Sequence, residues 1–205
     1  GKKLPEELLT EEEIQRIIKC CENLRDKALI STLAESGCRI SEIGLLKIKH
    51  VSFEGYGARL NVQGKTGARR VLIVNSAPYL LSWINDHPMN ENPDAYLWHN
   101  PQNKECLTYS RITAILSLAV VNAGIKKRVY PHLLRHSRAT HLAPIMSEAA
   151  MKQYFGWTQG SKMAGIYIHL SGKETDEAIL KANGIVVQKE EKEIIMKPLV
   201  CPRCK

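Results

Sequence analysis

The sequence predicts an α+β fold that is mainly helical and contains a small three-stranded antiparallel sheet. Apolar residues recur with the spacing of amphipathic helices over most of the chain, but between residues 48 and 74 the period shortens to that of β-strands. Glycine-rich turns divide this stretch into three segments, as in consecutive antiparallel strands. The composition, with 44% hydrophobic and 24% charged residues, is that of an ordinary globular protein.

Three helices are predicted before the sheet. The first lies within residues 5–18, where Thr10 is a suitable N-cap and three glutamates follow it at the positive end of the helix. The second, at residues 25–34, is largely apolar, so we expect it to be buried. The third, at residues 41–46, is short and holds Glu42 beside the arginine of the preceding turn.

The sheet is predicted from strands at residues 48–53, 58–63 and 69–74, with turns at 55–57 and 64–67. The helical period then returns, and Pro131 suits a first helical turn. A loop rich in Pro, Asn and Asp is predicted at residues 87–101. The later helices are predicted at residues 78–85, 109–123, 131–143, 148–155, 163–168 and 174–182.

Residues 1–184 are therefore interpreted as one domain and residues 185–205 as a separate C-terminal tail. The tail ends in Cys201-Pro-Arg-Cys204, which is half of a zinc-ribbon pattern. Two thiolates cannot fill a tetrahedral site, so the pair is either the start of a truncated zinc ribbon or incidental. The six cysteines show no disulfide-framework spacing, and we expect a reduced, cytoplasmic setting.

The charge of the chain permits a polyanionic partner. Lys plus Arg outnumber Asp plus Glu by 29 to 21, which gives a net charge of +8. Such a charge is compatible with nucleic acid, but also with a basic protein that lysines keep in solution. No stretch approaches about 18 uninterrupted apolar residues, so we expect no membrane partner.

Four segments contain residues suited to chemistry on a phosphate. Guanidinium groups present a rigid fork of donors that matches phosphate oxygens, and His132 and Arg135 share one face of a predicted helix. Two arginines, a histidine and a lysine would form a cationic phosphate site, and a tyrosine brought to it is a candidate covalent nucleophile. The segments are residues 35–42 (ESGCRISE), 64–67 (GKTG), 132–141 (HLLRHSRATH), and 154–157 (YFGW) followed by 167–169 (YIH).

Each segment alone has an ordinary structural explanation. A His-x-x-Arg pair is common on surface helices, a Gly-Lys-Thr-Gly turn is usually a hairpin, and Trp157 and Tyr167 would by default be core aromatics. The four segments in this order, however, resemble the tyrosine recombinase (phage integrase) family. The resemblance covers roughly residues 8–182, and residues 131–142 are the most specific part. It implies the catalytic domain of a DNA strand-transferase from an archaeal or bacterial mobile element.

The resemblance implies a role for each matching residue. Arg39 and Arg135 match the arginines that clamp the nonbridging oxygens of the scissile phosphate. Lys65 matches the hairpin lysine that protonates the leaving 5′-oxygen, and Tyr167 matches the nucleophile. The implied reaction is a transesterification through a 3′-phosphotyrosine that needs no ATP, and we expect no catalytic metal or other cofactor.

The remaining positions are less uniform. His132 matches the residue that assists proton transfer at the nucleophile, and Glu42 either orients Arg39 or is a solvated helix carboxylate. Trp157 stands where the family has histidine or, less often, tryptophan, and an indole can bind phosphate and pack but cannot shuttle a proton. Tyr167 follows Trp157 by ten residues where many members have nine, and we expect the extra residue in the turn around Gly160.

The expected partner is double-stranded DNA. The resemblance implies a further N-terminal helical domain that grips the other side of the duplex, and we expect these 205 residues to lack it. We expect a tetramer on DNA for the full-length enzyme and a monomer or weak dimer for this chain. Two alternatives stay open: a type IB topoisomerase that relaxes one strand, and a DNA-binding module that has lost catalysis.

Overall fold

A computed structural model describes residues 8–171 of the protein, and it confirms the predicted α+β fold. The predicted helix at residues 174–182, the tail at 185–205 and both of its cysteines lie outside the described residues. Within this part of the chain no helix is long and apolar enough to cross a membrane. The helices are α1 Glu11–Lys19, α2 Leu24–Ser36, α3 Ile40–Gly44, α4 Ala77–Asn85, α5 Tyr109–Asn122, α6 Pro131–Leu142, α7 Glu148–Phe155 and α8 Met163–Ser171; the strands are β1 Val51–Glu54, β2 Gly57–Gly64 and β3 Gly67–Ile73.

The three strands form one antiparallel sheet in the order β1-β2-β3, as predicted. The β2–β3 pairing ends at Gly64 opposite Gly67, so Lys65 and Thr66 form a two-residue turn. Gly67 has φ +105°, a backbone conformation that glycine adopts at little cost and other residues adopt rarely. The hairpin therefore holds Lys65 at its tip.

The first strand begins three residues later than predicted. Residues 48–50 were expected to be extended, but they form a single 3₁₀ turn. The backbone N–H of Lys47 donates to His50 Nδ1 at 3.1 Å, and the N–H of His50 donates to the carbonyl of Lys47 at 3.0 Å. Since a local side-chain acceptor offers the backbone an alternative to strand pairing, the ladder starts only at Val51.

The protein's interior is formed by two clusters of buried hydrophobic residues. The larger one joins the inner face of the sheet to α2, α4 and α5, and α2 is buried almost throughout, as its apolar sequence predicted. The smaller one lies among α6, α7 and α8 and contains Phe155 and Tyr167. Helix α6 packs against both α2 and α8, so residues on α6 lie where the two clusters meet.

Side-chain hydrogen bonds fix the start of α1 and link the end of α2 to the residues that follow β3. Thr10 forms the predicted cap as a full capping box with Glu13, and the N–H of Leu9 donates to Ser137 Oγ of α6 at 3.0 Å. Glu35, near the end of α2, accepts hydrogen bonds from the backbone N–H groups of residues 74–76. These bonds hold the start of α1 on α6, and the end of α2 on the residues after β3.

Candidate active site

The first arginine of the site follows a sharp turn at the end of α2. Gly37 has φ +58°, and a Cβ there would lie 2.6 Å from Phe155 Cε1, so both backbone conformation and space require glycine. The chain then turns into α3, with Arg39 as its N-cap. Arg39 donates from its backbone N–H to Glu42 Oε2 at 2.8 Å and from Nη1 to Glu42 Oε1 at 3.0 Å. Glu42 thus holds both the backbone and the guanidinium of Arg39.

Glu42 is itself held by a second arginine that the sequence interpretation did not include. Arg69 of β3 donates from Nη1 and Nη2 to the two carboxylate oxygens of Glu42, each at 2.8 Å, and from Nε to the carbonyl of Tyr154 at 2.9 Å. Burial alone would raise the pKa of Glu42, but the hydrogen bonds from Arg69 and Arg39 lower it to about 2. Glu42 is therefore ionised at neutral pH, and its side chain is only 1% exposed.

Arg135 lies at the centre of the site, on α6. Its Nη1 donates to the carbonyl of Gly37 at 2.9 Å and its Nη2 to the carbonyl of Phe155 at 2.7 Å. The guanidinium also lies over the ring of Trp157, 5.5 Å from its centroid. Arg135 is 4% exposed, and no carboxylate within residues 8–171 forms an ion pair with it. Burial and the nearby charge of Arg39 lower its pKa to about 10, which still leaves it charged at neutral pH.

Tyr167 is packed into the same region by a stack of aromatic rings. Its ring lies parallel to that of Trp157, with the centroids 5.7 Å apart and an interplanar angle of 2°, and Trp157 stacks in turn on Phe155. Tyr167 is only 6% exposed. Burial raises its pKa to about 12, although the positive charge of Arg135 acts in the opposite direction. The phenol is thus protonated at neutral pH.

The hydroxyl of Tyr167 contacts a histidine to which the sequence interpretation gave no role. Its partner is Nδ1 of His136, one turn further along α6 than His132. The rings of His132 and His136 lie edge to face with centroids 5.0 Å apart. His132 is exposed, and its pKa is lowered by partial desolvation and by the charges of Arg135 and Arg39. His132 therefore lies beside the arginines, whereas His136 lies between His132 and the phenol.

The β2–β3 hairpin closes one side of the site. Thr66 Oγ1 donates to the carbonyl of Gly156 at 3.0 Å, which brings the hairpin tip next to the residue that precedes Trp157. A Cβ on Gly64 would lie 2.2 Å from Glu42 Oε1, so glycine permits this close approach. The side chain of Lys65 is exposed at the tip.

Five of the six predicted residues are linked by direct contacts or by electrostatic interactions, and Lys65 lies on the adjoining hairpin. Three arginines against one carboxylate leave this part of the site with an excess of about two positive charges. An anion is the ligand that such a site would attract. The linked five are Arg39, His132, Arg135, Trp157 and Tyr167.

The hydroxyl of Tyr154, the other tyrosine near the motif, contacts the backbone of α2 and β3. Its hydroxyl is directed at the carbonyls of Glu35 and Leu72, at 3.3 and 3.5 Å, and burial raises its pKa to about 12. Gly160, around which the extra residue is expected, lies in the loop between α7 and α8.

Arg69 and His136 were missed, although the sequence contains a signal for each. Arg69 alternates in phase with Val71 and Ile73, so it occupies an inward position on β3, where an arginine needs an anionic partner. His136 follows His132 by four residues on one helix face.

Comparisons with known proteins match most of the chain. The sequence model of the phage integrase family matches residues 7–174. Tyrosine recombinase XerA of Pyrococcus furiosus is 32% identical over 190 residues, which cover 88% of this chain and 64% of that protein. A tyrosine recombinase of Thermosipho africanus is 33% identical over 185 residues, covering 88% of this chain and 62% of the relative. The chain thus spans a little under two thirds of these relatives.

Solved structures share the fold. The crystal structure of XerA recombinase superposes with a TM-score of 0.69 at 26% identity, covering 88% of this chain and 66% of that one. The XerH recombinase bound to its difH substrate, in a pre-cleavage complex, gives a TM-score of 0.70 at 24% identity, covering 87% and 55% of the two chains.

Proposed function

The chain belongs to the phage integrase family, and from that premise we propose that it is the catalytic part of a site-specific DNA recombinase that cuts and rejoins strands through a phosphotyrosine. The observation that carries the proposal is the pairing of a buried phenol, Tyr167, with a cationic centre built on Arg135 and Arg39. A phosphodiester is an anion that a nucleophilic hydroxyl can attack, and these groups meet both requirements.

In the proposed reaction Tyr167 Oη attacks the phosphorus of a DNA phosphodiester in line with the leaving 5′-oxygen. A bond forms from Oη to phosphorus as Oη gives its proton to a histidine of α6, the bond to the 5′-oxygen breaks, and Lys65 gives that oxygen a proton. Religation is the reverse step with a different 5′-hydroxyl. Because one phosphoester replaces another, the exchange is close to energetically neutral and needs no ATP.

Arg135 and Arg39 neutralise the charge that develops on the nonbridging oxygens. Phosphoryl transfer depends mainly on positioning and on this electrostatic stabilisation. Glu42 and Arg69 keep Arg39 in place through three charge-assisted hydrogen bonds. We propose that the arginines and Lys65 supply the positive charge that metal ions supply in other phosphoryl transferases.

The proposed partner is double-stranded DNA, and the proposed assembly is a tetramer on DNA for the full-length enzyme. This chain alone would be a monomer or a weak dimer. Residues 1–184 would form the catalytic domain, followed by the tail. The cysteines in the described range, Cys20, Cys21, Cys38 and Cys106, are all unpaired, which supports a reduced, cytoplasmic setting.

The test is covalent capture of DNA. A pool of randomised duplexes, nicked so that the short 5′-hydroxyl fragment diffuses away after cleavage, is incubated with the chain and resolved on a denaturing gel. We expect a protein–DNA adduct, and sequencing of the captured strands gives the preferred site. Tyr167→Phe removes the nucleophilic oxygen and little volume, so it should bind DNA and form no adduct.

Tyr154→Phe is the matched control. Its hydroxyl makes two long hydrogen bonds to backbone carbonyls and a side-chain interaction with Arg138, so the variant should fold and still form the adduct. An adduct that persists in Tyr167→Phe and disappears in Tyr154→Phe would reassign the nucleophile. No adduct with any duplex would favour the DNA-binding module without catalysis.

A further inference from the structure

The contact between Tyr167 and His136 gives a function to a residue that the family motif left unassigned. Of the described residues, His136 Nδ1 is the hydrogen-bonding partner of the Tyr167 hydroxyl. The ring of Tyr167 is fixed by its parallel stack on Trp157, and the ring of His136 by its edge-to-face packing on His132. Both partners of the hydrogen bond are therefore held in position before any substrate arrives.

The phenol needs a base at this position. Its pKa is raised to about 12, so at neutral pH it keeps its proton and its O–H is the donor in the contact. The positive charge of Arg135 lowers this pKa, but burial outweighs it, so the charge does not remove the proton. A base that touches the hydroxyl is the simplest means of taking up the proton as the oxygen attacks phosphorus.

His132 is less well placed for this step. Its ring packs against that of His136. The charges of Arg135 and Arg39 also act on it. Desolvation and these two charges lower the pKa of His132, which disfavours an imidazolium there. His132 is therefore in a position to bind phosphate or to pass a proton onward, and His136 is in a position to receive it first.

We propose that His136 is the general base of the cleavage step and, in reverse, the general acid of religation. Neutral His136, protonated on Nε2, accepts the phenolic proton on Nδ1 as Oη bonds to phosphorus and the bond to the 5′-oxygen breaks. In religation the 5′-hydroxyl attacks phosphorus, Oη leaves, and Nδ1 returns the proton to it. This inference rests on the proposed function.

The test distinguishes three roles for His136: general base, positioning group, and group that acts on the leaving oxygen. His136→Asn keeps a hydrogen-bonding amide near the place of Nδ1 but cannot accept a proton. Adduct formation is measured in single turnover, at saturating DNA, on the normal substrate and on one with sulfur at the scissile 5′ position. Sulfur leaves readily without protonation, so it relieves only a defect on the leaving-group side.

We expect His136→Asn to slow adduct formation by about 10²–10⁴-fold on both substrates, the usual contribution of general base catalysis. Lys65→Ala should be slow on the oxygen substrate and near normal on the sulfur substrate. The matched control is His141→Asn, on the last turn of the same helix, where the side chain is 45% exposed and pairs with Glu11. It should cleave like the unsubstituted chain.

Free imidazole provides a second measurement. In His136→Ala it can enter the space left by the ring, and we expect it to restore part of the adduct formation, with no effect on the unsubstituted chain. Circular dichroism of both variants shows whether they fold, and if the Asn variant does not, the rescue of the Ala variant decides.

Four results would overturn the proposal. They are a rate for His136→Asn within a few-fold of the unsubstituted chain, a rate above it, a defect that the sulfur substrate cures, and a folded His136→Ala that imidazole does not rescue. A faster variant would mean that the contact restrains Tyr167 instead of activating it. Failure of the unsubstituted chain itself to form an adduct would instead refute the proposed function, so the two failures are distinguishable.

Discussion

Arg135 donates to two backbone carbonyls and lies over two aromatic rings, so its position is fixed by four contacts with three residues. Arg135→Lys keeps the charge but offers no planar fork, so it cannot donate to both carbonyls and grip a phosphate. Loss of one donor that acts in the transition state costs about 10²–10³ in rate. We expect a loss of that size in single-turnover cleavage, with a smaller change in DNA affinity.

Arg111→Lys is the control for the change of side chain, since Arg111 is exposed near the start of α5. It should cleave normally. A cleavage rate for Arg135→Lys within a few-fold of that of the unsubstituted chain would show that the guanidinium of Arg135 does not stabilise the transition state.

The ionisation of Glu42 makes the free energy of unfolding depend on pH in the acid range. Its pKa falls from 4.5 to about 2 on folding, so its contribution is complete above about pH 4.5 and is lost as the pH falls through about 2. The shift corresponds to roughly 3 kcal/mol. We expect urea unfolding at a series of pH values to show this loss in the unsubstituted chain and a shallower acid dependence in Glu42→Gln.

At neutral pH Glu42→Gln should be destabilised by about 3–5 kcal/mol, because it leaves the buried guanidinium of Arg69 without its anion. Glu148→Gln also removes one glutamate charge, but from a carboxylate that is 52% exposed, and it should change stability by less than about 1 kcal/mol. Equal acid dependence in Glu42→Gln and the unsubstituted chain would show that Glu42 does not carry this charge.

The hairpin and α3 approach each other through Gly64. Gly64→Ala places a methyl group 2.2 Å from Glu42 Oε1, so either the hairpin or the carboxylate must move. We expect lower thermal stability and slower cleavage, because Arg39 and Lys65 are both positioned through this contact. Gly55→Ala, in the β1–β2 turn with no atom within 4 Å of the added methyl, should match the unsubstituted chain in both measurements.

A Gly64→Ala chain with unchanged melting temperature and cleavage rate would show that the close packing of the hairpin on Glu42 is not required. A Gly55→Ala chain with the same losses would show that any added methyl in these turns is harmful.

Elements whose structure is set locally were predictable from sequence. Thr10 is the N-cap that the sequence predicted, and the Lys65-Thr66 turn lies between the predicted strands. The error at residues 48–50 has a local cause of another kind, a histidine side chain that accepts from the backbone. Strand propensity does not register such a hydrogen bond.

The site was predictable only as far as its motifs extend. Arg39 and Arg135 were identified from short patterns, whereas Arg69 acts through a carboxylate 27 residues away in sequence. Likewise, nothing along the sequence distinguishes His132 from His136 as the neighbour of Tyr167. That choice depends on how α8 packs on α6, which is a tertiary contact.

At the scale of the whole molecule, the net charge of +8 predicts salt-sensitive DNA binding. Cations that contact phosphates release counterions, so log K should fall linearly with log salt concentration. We expect weak, poorly specific binding, in the micromolar range at physiological salt, as for nonspecific contacts. A second domain on the other face of the duplex would raise affinity by about 10²–10⁴ through effective concentration.

Fluorescence anisotropy on the captured site and on a scrambled duplex, at several salt concentrations, measures both the slope and the specificity. Nanomolar, sequence-specific affinity that resists salt would show that this domain recognises its site unaided.

The central claim is that Tyr167 becomes covalently attached to DNA, and peptide mapping of the captured adduct tests it most directly. Trypsin separates the two tyrosines near the motif, since residues 163–173 form one peptide with Tyr167 and residues 153–162 form another with Tyr154. After nuclease digestion, mass spectrometry should find the nucleotide phosphate on the peptide of residues 163–173. Its attachment to residues 153–162, or to any residue other than Tyr167, would contradict the account.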